Sequence, residues 1–360
     1  YTDSSCPALL LEPQRTNVVE NSEYHSGSTY GNNDVSTTDN EAISPEGVQN
    51  AAKIVLDSGT NISNGGHYLS FSSTGGTTYT ISVFAKAGEY RYFTFTYGSS
   101  SAGGGHFDLQ EGTLLGTITH SAYSNETASI EDYGNGWYRL VVSLTESASV
   151  SARFMSMKPS PSASVPPNNN YPSTGDGTSG AYIYGFQIEE GSYATSYIPT
   201  YGSAVTRNAD NCEVENQSAL INSEQGTLYF EGIATDPDYA SVLSFSDGTL
   251  SNRICLTLPQ NATNINAFSS VGGSKIDNNI LHDPNINSKY AIVWNGNSFK
   301  AFVNGVKRVD NTMAGSFSAN TLTDIRFDRG DGALNFEGFC KSYLSIASAL
   351  TDQEAIDLTT

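Results

Sequence analysis

Residues Lys289 to Arg308 read KYAIVWNGNSFKAFVNGVKR, and this run decides the fold, because two Asn-Gly pairs punctuate short segments of β-branched and aromatic residues. Asn295-Gly296 and Asn304-Gly305 are each expected to supply the positive φ of a tight type I′ hairpin turn, whose twist matches the strands it joins. The expectation is a three-stranded meander. Between the turns, Phe299, Ala301 and Val303 fall on one face at period two, and Lys300 and Phe302 fall on the other.

The pattern W-N-G-x-x-F-K-x-F-V-N-G-V resembles the central hairpins of laminin-G or concanavalin-A-like jelly rolls, which are two-sheet sandwiches. That resemblance runs from GTLYFEG (Gly226 to Gly232) to FEGFCKSYLSIASALTDQEAIDL (Phe336 to Leu358). Further strands are expected at Ser241 to Ser246, Arg253 to Leu258, Asn264 to Ser269 and Asp324 to Phe327. The closing SALTDQEAIDLTT places Thr351 three residues before Glu354, the spacing of a helix capping box, and reads as a natural C-terminus. This fold hosts lectins, adhesion modules, glycosidases, lyases and inert spacers, so it does not by itself imply a function.

At 360 residues the chain is long enough for two separate cores. Charged residues are only 15%, Gly, Ser, Thr, Asn and Tyr are abundant, and no long run keeps a 3.6-residue apolar period; the composition is all-β. The formal charge of -20 repels phosphate backbones and anionic membrane surfaces, which argues against nucleic acid as a partner. It suits either solubility or divalent-cation binding. No stretch of about 18 apolar residues occurs, so no membrane insertion by a helix is expected. The opening YTDSSCPALLLEP has no signal-peptide pattern and reads as the interior of a larger protein. Cys6, Cys212, Cys255 and Cys340 show no CxxC spacing and are expected as mostly buried free thiols, with a Cys6–Cys212 or Cys255–Cys340 bridge as the alternative.

Upstream, LLLEPQRTNVVENSE closely resembles the opening of a carbohydrate-binding-module-like jelly roll found in bacteriophage fibre and tail proteins and in secreted bacterial proteins. TTYTISVFAKAGEYRYFTF (Thr77 to Phe95), DYGNGWYRLVVSL (Asp132 to Leu144) and AYIYGFQIEEGSYATSYIPT (Ala181 to Thr200) extend that likeness over residues 9 to 200. Their alternation agrees: Tyr79, Ile81, Val83 and Ala85 share a face, as do Phe93, Phe95 and Tyr97, and Leu140, Val142 and Leu144. Residues 98 to 106 and 158 to 180 are rich in Gly, Ser, Pro and Asn and read as loops, the second long enough for a functional one. The expected fold class is all-β, two tandem jelly-roll β-sandwiches, the second concanavalin-A/laminin-G-like with a short C-terminal helix. The boundaries are residues 1–200 for the first domain, 201–222 for a linker and 223–360 for the second.

Catalytic patterns are missing from the sequence. The E-x-D-x-x-E arrangement that places two carboxylates about 5 Å apart in retaining glycosidases is absent; Glu213-Val214-Glu215 falls in the linker, and Glu189-Glu190 point to opposite faces. His25, His67, His106, His120 and His282 stand singly in polar sequence and read as surface residues, without metal-ligand spacing. No G-x-S-x-G elbow appears, and no basic patch of the kind a polysaccharide lyase needs is visible among 17 Lys and Arg.

Sugar recognition asks for aromatic faces with Asn, Gln, Asp or Arg nearby. The candidates are Tyr90 and Tyr92, opposite Phe93 and Phe95, and the row Tyr182, Tyr184 and Phe186 with Gln187 opposite. Trp137 and Trp294 read as core residues. No cofactor is required, but the resemblance implies a structural calcium near the first and last strands of the jelly roll, where Glu12 and Glu189 stand. The resemblance further implies a non-enzymatic adhesion protein: the distal part of a phage fibre on the virion surface, a homotrimer joined to other fibre proteins and contacting host-surface glycans. The alternatives are binding modules of a secreted polysaccharide-degrading enzyme, or a virion decoration without a ligand.

Overall fold

The computed structural model describes residues 8–59, 66–98, 102–166, 174–235, 241–261, 263–283 and 286–360. The chain is all-β, built as β-sandwiches, with one short helix at Asp352–Thr359. It divides into two compact units, Tyr1–Gln14 with Asn208–Thr360, and Arg15–Arg207.

In the first of these units one sheet runs, in spatial order, Leu9–Leu11, Gly338–Ile346, Gln225–Ala234, Ser288–Asn295, Ser298–Val303, Val306–Thr312. The other runs Glu213–Val214, Asp324–Arg326, Ser241–Ser246, Arg253–Asn261, Asn264–Val271, Ser274–Leu281. Their inner faces meet in one core, with Phe230, Ile292, Trp294 and Phe299 packed against Leu243, Phe245, Ile254 and Leu256. The expected alternation in the meander is observed. Phe299, Ala301 and Val303 enter this core, while Phe302 packs with Ala291, Val293 and Ala355 beneath the helix. The helix is capped by Thr351 and Glu354 as their spacing requires. Trp294 is buried, and its indole Nε1 donates to the Ser223 carbonyl at 3.0 Å.

The two Asn-Gly turns differ from one another. Asn304 and Gly305 link Val303 to Val306 with φ of 47° and 74°, as a type I′ turn requires. At the other hairpin Asn295 pairs with Ser298, so the turn residues are Gly296 and Asn297, and of these only Gly296 has positive φ, at 57°. That is the pattern of a type II′ turn.

The boundaries also differ from expectation. Leu9–Leu11 was assigned to the first domain, but it pairs with Gly338–Ile346, Leu9 opposite Cys340 and Leu11 opposite Gly338, and Leu11 joins the core of that sandwich. Residues 201–222 are not a separate linker: Val205–Arg207 pairs with Arg15–Asn17, and Glu213–Val214 pairs with Asp324–Arg326. The polar edge strand Ser274–Leu281 is an addition that its composition does not announce.

In the unit Arg15–Arg207 one sheet runs Thr113–Ile118, Gly103–Asp108, Tyr92–Tyr97, Val150–Ser160, Gly66–Ser73, Gly31–Asn33. The second runs Tyr123–Asp132, Trp137–Glu146, Thr78–Ala87, Gly180–Glu190, Gln49–Leu56, Val35–Ile43. Phe93, Phe95, Tyr97, Phe107 and Met157 share a core with Ile81, Val83, Leu140, Val142 and Ile183. Residues 103–106, expected in a loop, form part of a fully buried strand. A Cβ on Gly104 would lie 2.2 Å from the Phe95 carbonyl oxygen, so the glycine permits a backbone approach that other residues would block. Among the cysteines, Cys255 and Cys340 are free and buried and Cys212 is free and partly buried; Cys6 lies outside the described residues.

Candidate functional site

The strand Arg253–Asn261 turns Ile254, Leu256 and Leu258 into the core, so Arg253, Cys255 and Thr257 face outward. Register places Cys255 opposite Phe268, and Phe268 in turn opposite Asp277. Arg253 and Lys275 both pair with Ser270, from either side. Over this face lies the segment 328–334, whose turn is fixed by the buried Asp328 carboxylate accepting from the amides of Gly330 and Gly332. Arg329 N donates to the Ala333 carbonyl at 2.8 Å.

Together these elements enclose a cavity of about 260 Å³ lined by Arg253, Lys275, Arg329, Asn266, Thr257 and Phe268, with Val242 and Leu334 as apolar wall. The Phe268 ring carries two cations, Lys275 Nζ at 4.2 Å and the Arg253 guanidinium at 5.1 Å from its centroid. Lys275 also meets Asp277 at 2.6 Å, and Arg329 forks onto the Asp331 carboxylate at 3.1 and 2.7 Å. That fork holds the Asp331 carboxyl below the usual carboxylate range. Arg253 donates from Nη1 to the Arg329 carbonyl at 2.8 Å, and its Nε is buried without a hydrogen-bond partner. Burial pushes the neighbouring Cys255 thiol up to about 12, which excludes a thiolate nucleophile. Among the described residues that line the cavity there is no Tyr or His.

Sequence reasoning missed this basic cluster because Arg253, Lys275 and Arg329 are scattered over 76 residues. The available signal was parity: Arg253 sits at the outward positions of an otherwise apolar alternating strand.

The tyrosines and Gln187 singled out in the sequence are dispersed. Tyr92 is half-buried, stacked near His106 with ring centroids 6.2 Å apart, and the Arg91 guanidinium lies 5.1 Å from its ring. Tyr90 packs against the main core of its unit. Tyr182 is partly buried and lies under Lys53, and Tyr184 is enclosed with Phe84 and Trp137. The expected row of Tyr182, Tyr184 and Phe186 is broken by a bulge at Gly185, φ 63°, which turns Phe186 into the main core instead. Gln187 is fully buried, donating to Glu189 at 2.7 Å and accepting from Ile198 N at 2.7 Å. Buried side chains such as Tyr184 and Gln187 are closed to a sugar arriving from solvent.

Glu12 and Glu189 belong to different units. The buried Glu189 does not fit a calcium ligand, because its oxygens accept from Gln187, from Thr195 N at 2.9 Å and from Thr195 Oγ1 at 2.7 Å. The Glu12 amide donates to Asp210 at 2.9 Å. Among the described residues no group of three or more His, Cys, Asp or Glu is placed to hold a metal. Glu213 and Glu215 both meet the Arg326 guanidinium, Glu215 at 2.6 Å, beside Asp324 at 2.9 Å, so these carboxylates are ion-paired.

Three histidines expected at the surface are buried: His25, His67 and His106. His67 Nδ1 lies 2.8 Å from Asn32 Oδ1, and its Nε2 lies 3.2 Å from His25 Nδ1, a chain that two neutral rings can form, with the buried His25 Nε2 left without a hydrogen-bond partner. Tyr30 stacks on His67 at 4.6 Å. Burial lowers His25 to about 4, against the opposing pull of Asp39, and burial together with His25 lowers His67. His106 Nε2 lies 2.9 Å from the Ser162 carbonyl, tying the segment after Val150–Ser160 to the sheet. On the next strand but one, with Thr94 paired between them, burial lowers the Lys158 amine to about 8.

Sandwich sheets and, among the described residues, a single short helix define an all-β protein of jelly-roll type. No protein-family model matches the chain, and no curated protein matches it. Among solved structures it is similar to the CBM40 of the Ruminococcus gnavus IT-sialidase bound to alpha2,3 sialyllactose, with 15% identity over 42% of this chain and 97% of that chain and a TM-score of 0.34. It is also similar to the LG1-3 region of the laminin alpha2 chain, with 10% identity over 80% and 65% of the two chains and a TM-score of 0.32. Domains LG4-5 of the mouse laminin alpha1 chain give 11% identity over 98% and 96% of the two chains, with a TM-score of 0.27.

Proposed function

We propose that this chain is a non-catalytic carbohydrate-recognition protein and that the cavity over Phe268 is its binding site. The observation that carries the reading is a small cavity in which an aromatic ring, a hydroxyl, an amide and cations converge, without a paired acid and base or an activated nucleophile. Saccharides need this combination of apolar surface and fixed donors.

The setting follows from the resemblance of residues 9 to 200 noted above. As the distal part of a phage-like fibre the chain is a trimer that presents several weak sites to host glycans; as modules of a secreted polysaccharide-degrading enzyme it is a monomer. Light scattering on the eluting protein separates the two.

A glycan array probed with the intact chain tests the function. Binding to at least one saccharide class, reduced by Phe268→Ala in a protein that still melts cooperatively, is expected. An array without any binding at high protein concentration overturns the proposal.

A further inference from the structure

We infer that the saccharide taken by this cavity is acidic, carrying a carboxylate or a sulfate that docks on Arg253. This inference rests on the carbohydrate-binding reading above and adds the charge of the ligand to it. In a chain of net charge -20, three of only 17 Lys and Arg converge on one cavity. Two of them have carboxylate partners, Asp277 for Lys275 and Asp331 for Arg329.

Arg253 differs. It is 7% exposed, and among the described residues no carboxylate forms an ion pair with it. One edge of its guanidinium is held by the Arg329 carbonyl, and Nε is buried with no acceptor. Asp277 and Asp331 act on this guanidinium only from a distance, and a buried guanidinium without a carboxylate in direct contact is costly in the free protein, a cost that an arriving anion reduces. Arg253 lines the cavity, and a guanidinium meets a carboxylate or a sulfate with two parallel N–H groups, a bidentate match that a neutral group does not offer. Lys275, 42% exposed at its side chain, stands at the cavity margin and attracts the same anion from solvent.

The position is also held still. The ring of Phe268 supports both cations, and the Asp328 turn fixes the carbonyl that orients Arg253. The hydroxyls of a neutral sugar can accept from the same donors but bring no charge to the three cations, so discrimination rests on the charge-assisted hydrogen bonds that only an acidic group makes.

Calorimetric titration of the full chain with three matched oligosaccharides decides the matter: a uronic-acid oligomer, a sulfated oligomer and the neutral oligomer of the same linkage. The expected result is that one or both acidic forms bind at least about tenfold tighter than the neutral one, with a preference that weakens as salt rises. The carboxylate and sulfate arms show which group is taken. Arg253→Gln is expected to erase the preference; where that variant fails to fold, the half-exposed Lys275→Gln serves, with an expected several-fold loss. Equal binding of neutral and acidic forms, or a preference that survives in both variants, overturns the inference while leaving carbohydrate binding intact. Failure of all three oligomers and of the wider array overturns both.

Discussion

Acidification should unfold the unit Arg15–Arg207 through its buried histidine pair. In the unfolded chain His25 takes up a proton near its ordinary value of 6.5, whereas in the folded protein burial lowers it to about 4. Between those values the unfolded state binds more protons than the native state, so the stability held by neutral His25 is complete above pH 6.5 and is lost as pH falls toward 4. At about 1.4 kcal/mol per unit, His25 alone removes about 2 kcal/mol by pH 5 and about 3 kcal/mol by pH 4. His67, lowered in the same direction, adds to it.

The assay is already built into the chain. It has two tryptophans, Trp137 in the Arg15–Arg207 unit and Trp294 in the other, so Trp294→Phe leaves a fluorescence signal that reports on the histidine-bearing unit. Urea unfolding at pH 7, 6, 5 and 4 in that background should show the midpoint falling with each step. The same series in His25→Gln should be flatter down to pH 5. A stability independent of pH between 7 and 5, or an equal slope in the His25 variant, refutes the assignment.

Two other expectations follow. Gly104→Ala places a Cβ 2.2 Å from the Phe95 carbonyl oxygen and should destabilise its unit by more than about 2 kcal/mol, measured by urea unfolding; a loss under about 0.5 kcal/mol contradicts the close approach. Because the Glu189 carboxylate is saturated by Gln187 and Thr195, a chelator should leave the melting temperature of the whole protein unchanged, and a fall of several degrees points to a cation held elsewhere.

What could be read from the sequence was whatever a local pattern encodes. Phe299, Ala301 and Val303 announce their face because a half-buried strand alternates at period two, and Thr351 announces a helix start because Glu354 completes its cap. Gly103 to Gly105 were misread because glycine composition signals a loop, whereas here the missing side chains let two backbones meet. The histidines were misread for a related reason: polar neighbours in sequence say nothing about Tyr30 and Asn32 closing over His67. The row at Tyr182 failed at Gly185, since one bulge inverts every later face. Arg253, Lys275 and Arg329 were invisible as a group because only the pairing of three strands and a loop brings them together.

Leu9–Leu11 and Gly338–Ile346 are partners that lie about 330 residues apart along the chain. A ribosome adding about 5–20 residues per second takes roughly 15–65 s to deliver the second after the first. Throughout that interval the three leucines wait unpaired, while all of Arg15–Arg207 has emerged and is free to close. The sandwich formed with Asn208–Thr360 is therefore completed after Arg15–Arg207, and until then the strand Leu9–Leu11 needs protection from other sheet edges.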